Sequence, residues 1–156
     1  THDVKDYANV LVEVEGGTSS GGYSIDDIAG GAPIGEITIT VPKVNEYAFA
    51  YKKGITKATF ESACFIDSSG FNNCTGLQEV EFLVANTQVS GYGFGYCTSL
   101  KTVTFRGNAK YLSTTAFAQC TGITDIYVPW SETDEIPNVT TTAPWGATNA
   151  TIHYNS

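Results

Sequence analysis

Three of the four cysteines of this 156-residue chain, Cys74, Cys97 and Cys120, follow one another at intervals of 23 residues. Thiols can bind a metal ion or form disulfides, but zinc sites favour cysteines paired at short spacing, often with histidine. The only histidines are His2 and His153, and three equivalent thiols cannot all pair. We therefore predict a row of small buried thiols, with no metal site and no cofactor.

The fourth cysteine, Cys64, falls outside this row, at a repeat position that holds Pro42, Thr87 and Lys110 in the other copies. These residue types favour the surface, so we predict that Cys64 is a partly exposed free thiol. An exposed thiol is open to oxidation in air, and Cys64 would then link two chains through an intermolecular disulfide.

None of the familiar catalytic patterns is complete in this chain. The glycine-rich stretch Gly91–Gly95 lacks the following Lys-Ser/Thr pair and the long helix of a phosphate loop. A Ser-His-Asp triad would need His2 or His153, and both lie in terminal segments. The acidic segment 132–135 does not match a calcium loop, so solvated charge is the main interpretation, and loose calcium binding stays open. We predict no catalytic residue and no enzyme activity.

A phenylalanine preceded by alanine or glycine recurs along the chain at spacings of 22, 23 and 23 residues, as Phe49, Phe71, Phe94 and Phe117. Copies this short cannot bury their own apolar face and must stack on one another, which predicts a solenoid. Further columns around the phenylalanines hold apolar residues in every copy. Two of these columns are Ala58, Val80, Val103 and Ile126, and Phe60, Phe82, Phe105 and Val128.

The segment after each cysteine position alternates apolar and polar residues, as in Leu77-x-x-Val80-x-Phe82. This alternation predicts short strands that stack from coil to coil as a parallel sheet, about 4.8 Å apart. The stretch between phenylalanine and cysteine, such as Gly93–Cys97, is short and turn-like. We expect a helical or 3₁₀ turn there.

The combined pattern Ile-x-x-x-(Ala/Gly)-Phe-x-x-Cys-(Thr/Ser)-x-Leu-x-x-Val-x-Phe resembles the BspA-like leucine-rich repeat of bacterial surface proteins and phage proteins. Residues 89–105 match it well, and four copies of 22–23 residues span residues 41–128, the first with Lys52–Gly54 in place of Cys-Thr-Gly. The resemblance implies a mainly β leucine-rich-repeat solenoid with short parallel strands and short helical turns. It also implies extracellular binding or adhesion, and it carries over no catalytic residue.

The two ends of the chain are predicted to be caps. Residues 1–40 form an N-terminal lead-in and cap, in which Val10–Glu15 could be a strand and Ile37–Val41 starts a partial first coil. The glycine-rich stretch between them is either part of an ordered lead-in or a tether to an upstream domain. Residues 129–156 form a C-terminal cap, with Trp145 over the open core and a final strand at Thr151–Tyr154.

Composition narrows the range of partners. The net charge of −8 argues against nucleic acid and against anionic membranes. No apolar run approaches the roughly 18 residues of a membrane span, so we expect no membrane insertion. The chain holds no methionine, so we expect that its start residue has been removed, and an export signal or a larger domain could have preceded it.

Tyrosines form the first candidate binding surface. Tyr47 and Tyr92 share one repeat column, and Tyr51 and Tyr96 share another, in which asparagine and glutamine also occur. A column that accepts Tyr, Asn and Gln is expected at the surface, where it suits binding of a protein or a glycan. The alternative, that these tyrosines only cover the edges of the coils, stays open.

The outward face of the strands is the second candidate surface. Glu81, Thr104 and Tyr127 form one column on this face. Solenoids bind partners along such extended faces, and small polar side chains leave room for a ligand.

Together these features predict a non-enzymatic binding or adhesion module that recognises a protein or a glycan outside the cell or on its surface. The alternative is a structural or receptor-binding component of a phage or prophage particle, since the chain end and the segment Tyr23–Ala29 resemble repeat proteins of phages from gut bacteria. The sequence leaves the oligomeric state open.

Overall fold

The computed structural model describes residues 10–12, 35–40 and 42–155. These residues form eleven β-strands, and no helix occurs among them. Our expectations for the glycine-rich stretch, for the segment Tyr23–Ala29 and for most of the N-terminal lead-in fall on residues outside these ranges.

Seven strands form the larger sheet, in which neighbouring strands are parallel. The alternating segment of each coil buries one face of its strand, so that Val80 and Phe82 point inward while Glu79 and Glu81 point outward. The expected stack of parallel strands is therefore confirmed. In spatial order the strands are β1 (Val10–Val12), β2 (Gly35–Ile39), β4 (Ile55–Phe60), β6 (Glu79–Phe82), β8 (Thr102–Phe105), β10 (Asp125–Tyr127) and β11 (Thr151–His153).

A second parallel sheet contains four strands of two residues each. Its strands are β3 (Lys43–Val44), β5 (Phe65–Ile66), β7 (Gln88–Val89) and β9 (Tyr111–Leu112). The second residue of each strand is fully buried, because it points into the space between the two sheets. Each complete coil therefore consists of a short strand of this sheet, a turn, and a strand of the larger sheet.

Each connection from the smaller sheet to the larger one contains a six-residue turn, at residues 46–51, 68–73, 91–96 and 114–119. Positive φ angles interrupt these turns: around Phe94, for example, Tyr92 has φ of 56° and Tyr96 has φ of 58°. A right-handed helix needs negative φ at every residue. Our expectation of short helical or 3₁₀ turns is therefore wrong.

Backbone hydrogen bonds join each turn to the next and form what we call the turn ladder. Its bonds run from the N–H of Phe49 to the carbonyl of Gly70 (2.8 Å), from Phe71 to Gly93 (2.7 Å), from Phe94 to Ala116 (2.9 Å) and from Phe117 to Trp145 (2.8 Å). A parallel row runs from Tyr51 to Asn72, from Asn73 to Gly95 and from Tyr96 to Ala118, each at 2.8 Å. Because buried peptide groups need partners, this ladder keeps the turns in register.

Two rows of phenylalanine rings fill the interior. In the first row the ring centroids of Phe71 and Phe94 lie 5.0 Å apart and the planes are 14° from parallel. In the second row Phe82 and Phe105 lie 4.8 Å apart. The rows meet edge to face, with Phe82 and Phe94 6.2 Å apart at 80°, a geometry that aromatic quadrupoles favour. The repeat columns are thus the hydrophobic core.

Two tryptophans close the C-terminal end of the core. Trp145 is fully buried, and its ring meets Trp130 edge to face at 6.2 Å and lies 6.2 Å from Phe105. Its indole N–H donates to the carbonyl of Val139 at 2.8 Å, so the ring is buried without leaving a polar atom unpaired. Trp145 therefore covers the end of the phenylalanine rows, as expected, and β11 ends the larger sheet.

Candidate functional site

The four six-residue turns form a continuous surface, which we call the turn face. It carries all four tyrosines of the first candidate surface, with exposed fractions of 56% for Tyr47, 61% for Tyr51, 39% for Tyr92 and 43% for Tyr96. The tyrosine pairs come from the first and third turns. Between them lies the second turn, whose equivalent residues are Ser69 and Asn73. The surface thus presents two tyrosines in each of these turns with Asn73 between them, while Ser69 is buried.

The backbone at these tyrosines is strained. Tyr47 and Tyr51 have φ of 60° and 67°, the left-handed region that favours glycine and asparagine. A bulky L-residue in this region is disfavoured by roughly 1–2 kcal/mol. Because the side chains are largely exposed, burial of the rings does little to offset this strain.

Tyr92 and Tyr96 contact each other on the turn face. Their ring centroids lie 6.1 Å apart and the planes are 13° from parallel. Gly95 makes this possible, since a Cβ at that position would lie 2.7 Å from Cδ1 of Tyr92. The pair therefore forms one joined aromatic patch rather than two separate side chains.

The second candidate surface is the strand face, the outward face of the larger sheet. Glu81 pairs in register with Thr104, and Thr104 with Tyr127, so the predicted column exists. Tyr127 in turn pairs with His153 of β11. His153 was not among the residues predicted for this column, although aligning the predicted final strand with the last repeat places it there.

Ion pairs occupy the middle of the strand face. Nε of Arg106 donates to a carboxylate oxygen of Glu81 at 2.7 Å, and Nζ of Lys57 lies 3.9 Å from the other oxygen. Lys57 also pairs with Glu79 at 3.4 Å. Arg106 was missed because it follows its strand instead of lying within it, although it is the only arginine in the sequence. Glu81, which we predicted as a binding residue, is thus already paired with the side chains of Arg106 and Lys57.

The C-terminal part of the strand face is aromatic. The rings of Tyr127 and His153 stack 4.6 Å apart, 15° from parallel. Nε2 of His153 lies 2.7 Å from Oδ1 of Asp125, and the hydroxyl of Thr124 donates to Oδ2 at 2.8 Å. These two hydrogen bonds, His153 first, hold the pKa of Asp125 below its usual value. The hydrogen bond to Asp125 also holds the imidazole ring of His153 against the ring of Tyr127.

The family model described as BspA type leucine rich repeat region matches residues 35–140 in six copies. The chain belongs to this family. The match covers well over half of the chain and includes the turns and strands that carry both candidate surfaces. Among curated proteins, no match to this chain was found. A BspA-type solenoid is a protein-interaction fold, so the chain is a repeat-based interaction module.

The cysteine column of the BspA-type repeats is buried, as predicted. The thiols of Cys74, Cys97 and Cys120 donate to the carbonyl oxygens of Phe49, Phe71 and Phe94 at 3.1, 3.2 and 2.8 Å. Each cysteine therefore satisfies a carbonyl of the preceding coil. Among the described residues, no group of three or more His, Cys, Asp and Glu side chains could hold a metal ion.

The prediction of an exposed Cys64 is wrong. Its side chain is only 1% exposed, because it packs between the two sheets as part of the core. Burial raises the pKa of the Cys64 thiol from 9.0 to about 12. Since the thiolate is the reactive form, Cys64 is protected from air oxidation, and no intermolecular disulfide is expected.

We expect alkaline pH to destabilise the fold through Cys64. Because the pKa is raised in the folded state, the thiol ionises at a lower pH in the unfolded chain than in the folded one. The contribution of Cys64 to the free energy of unfolding is therefore fully present below pH 9 and is lost as the pH rises toward 12. The loss from Cys64 is about 1.4 kcal/mol per pH unit in this range. Urea unfolding at pH 8 and pH 10 measures it, with Cys64→Ala as control. A slope unchanged by Cys64→Ala would contradict the prediction.

Within the part of the chain that the structure describes, no helix could cross a membrane, since all its regular elements are strands.

Proposed function

We propose that this chain is a non-enzymatic binding module, displayed on a cell surface or secreted, that recognises a protein or a glycan through the turn face. The resemblance of its repeats to those of bacterial surface proteins supports this location. The residues proposed to make contact are Tyr47, Tyr51, Tyr92 and Tyr96, with the strand-face residues Glu81, Thr104 and Tyr127 as a separate surface.

The observation that carries the proposal is the strained, exposed state of these four tyrosines. Equivalent positions in the second and fourth turns hold Asn73 and Gln119, at φ of 61° in both. Asparagine tolerates left-handed backbone better than tyrosine does. Tyrosine at such a position weakens the fold and buries little of its own ring, which is typical of a residue retained for contact with another molecule.

The composition of the turn face suits a macromolecular partner. Tyrosine provides a large contact area with few rotatable bonds, and neighbouring Ser, Asn and Gly provide adaptable hydrogen bonding. The turn ladder holds the tyrosine backbones rigid, so little conformational entropy is lost on binding.

The test measures binding and stability in the same variants. Wild-type protein is applied to an array of extracellular-matrix proteins and glycans, beside the double variants Tyr47→Asn/Tyr51→Asn and Tyr92→Asn/Tyr96→Asn. We expect a specific ligand whose binding falls at least about tenfold in one or both variants, equivalent to 1.4 kcal/mol. The free energy of unfolding should stay constant or rise by up to about 1 kcal/mol per site, because the strain is relieved.

Tyr111→Asn is the matched control. Tyr111 is exposed to a similar degree, at 36%, but it lies on β9 outside the turn face. Its replacement should leave binding unchanged. Wild-type protein that is folded and binds nothing would refute the proposal and favour a role as a subunit of a particle, which sedimentation would detect as self-assembly.

A further inference from the structure

A cleft of about 350 Å³ lies at the C-terminal end of the strand face. It is lined by Thr104, Arg106, Tyr127, Pro129, His153 and Tyr154, among others. None of these residues belongs to the turn face, so the cleft is a separate feature of the molecule. Its residues come from β8, β10, β11 and the segments that follow them.

One face of the Tyr127 ring is open to this cleft. His153 covers the opposite face, 4.6 Å away. On the near side the in-register neighbour is Thr104, whose short side chain cannot cover a phenol ring. The side chain of Tyr127 is accordingly 44% exposed. Because His153 is itself tied to Asp125 at 2.7 Å, the ring is fixed in place before any ligand arrives.

Polar side chains also line the cleft. Arg106 is 61% exposed, and its ion pair with Glu81 is made through Nε. A guanidinium carries five N–H donors in a fixed plane, so its terminal nitrogens can still donate to a ligand. Thr104 also lines the cleft, and its hydroxyl can both donate and accept a hydrogen bond.

We propose that this cleft binds the pyranose ring of a neutral glycan. A pyranose has an apolar C–H face, which suits the open face of Tyr127, and equatorial hydroxyls, which suit Arg106 and Thr104. At this end of the strand face Arg106 is already paired with Glu81, and Nε2 of His153 lies 2.7 Å from Oδ1 of Asp125. The chain as a whole carries a charge of −8, which disfavours acidic sugars. The inference stands independently of the turn-face proposal.

The test is saturation-transfer NMR on the full chain. The probes are the methyl glycosides of glucose, galactose, mannose and N-acetylglucosamine, with sialyllactose as the acidic comparison. We expect transfer to the C–H protons on one ring face of at least one neutral sugar, and weaker or no transfer to sialyllactose. Tyr127→Phe keeps the ring and should bind within about threefold of wild type, whereas Tyr127→Ala should weaken binding about tenfold or more.

Thr104→Tyr is the decisive variant. A tyrosine at this position would extend the stack of Tyr127 and His153 and cover the open ring face. Aromatic residues are favoured in strands and in cross-strand pairs, so the variant should fold at least as well as wild type. Sugar binding should be lost, while Tyr111→Asn, which lies on β9 outside the cleft, should leave it unchanged. Binding of no neutral sugar, a preference for sialyllactose, or wild-type binding by Thr104→Tyr would each overturn the proposal.

Discussion

Phe94→Ala is expected to lower the free energy of unfolding by about 3–5 kcal/mol, the usual range for a fully buried phenylalanine. The ring is fully buried and stacks on Phe71 at 5.0 Å and on Phe117 at 5.4 Å. It also meets Phe60 and Phe82 edge to face at 6.3 and 6.2 Å. Its removal opens a cavity where both phenylalanine rows meet, in the middle of the stack.

Urea unfolding followed by circular dichroism measures this loss. Tyr96→Ala is the matched control, because it removes an aromatic ring two residues away that is 43% exposed. Its effect should stay within about 0.5 kcal/mol, as for most surface substitutions. A loss below 1 kcal/mol in Phe94→Ala would show that the two ring rows do not form one continuous core.

Trp145→Ala is expected to have a similar effect of about 3–5 kcal/mol, concentrated at the C-terminal end. Each coil of a solenoid contacts only its neighbours, so an opened end frays first. Loss of the indole removes its contacts with Trp130 and Phe105, and it leaves the carbonyl of Val139 with the hydroxyl of Thr142 as a donor in place of two donors. Amide hydrogen exchange should therefore accelerate in β11 and β10 before it does in β4 and β6.

Two comparison variants make this result specific. Tyr154→Ala removes a 37% exposed aromatic ring near the same end and should change stability by no more than about 0.5 kcal/mol. Trp145→Phe should restore part of the lost stability, because it refills much of the space. Uniform acceleration of exchange in all strands of Trp145→Ala would contradict a local capping role.

The core of this protein can be predicted from its sequence because each core position occurs in several copies of the repeat. Phe49, Phe71, Phe94 and Phe117 define one column, and the spacing alone places them on top of one another. The buried thiols and the parallel strands follow in the same way. A single copy would have been ambiguous, since its short apolar run fits a helix as well as a strand.

Features that depend on one coil alone were harder to predict. We predicted helical turns from the short length of these segments. Tyrosine is not a residue type that favours positive φ, so Tyr92 and Tyr96 did not indicate the left-handed backbone. Cys64 was placed at the surface because its column also holds Lys110, yet in its own coil the small thiol turns inward. The cleft is lined in part by Arg106 and His153, which lie outside the repeat pattern and come from other coils than Tyr127.

The peptide dipoles of the turn ladder are aligned, so the two ends of the ladder carry partial charges of opposite sign. In every coil its N–H groups point toward the C-terminal end and the matching carbonyls point back. Each peptide unit carries a dipole of about 3.5 D, and here the dipoles add, whereas in sheets they largely cancel. Chains of such bonds also polarise one another. The turn ladder therefore contributes partial positive charge at its C-terminal end, near Trp145, and this gives any partner laid along the turns a preferred direction.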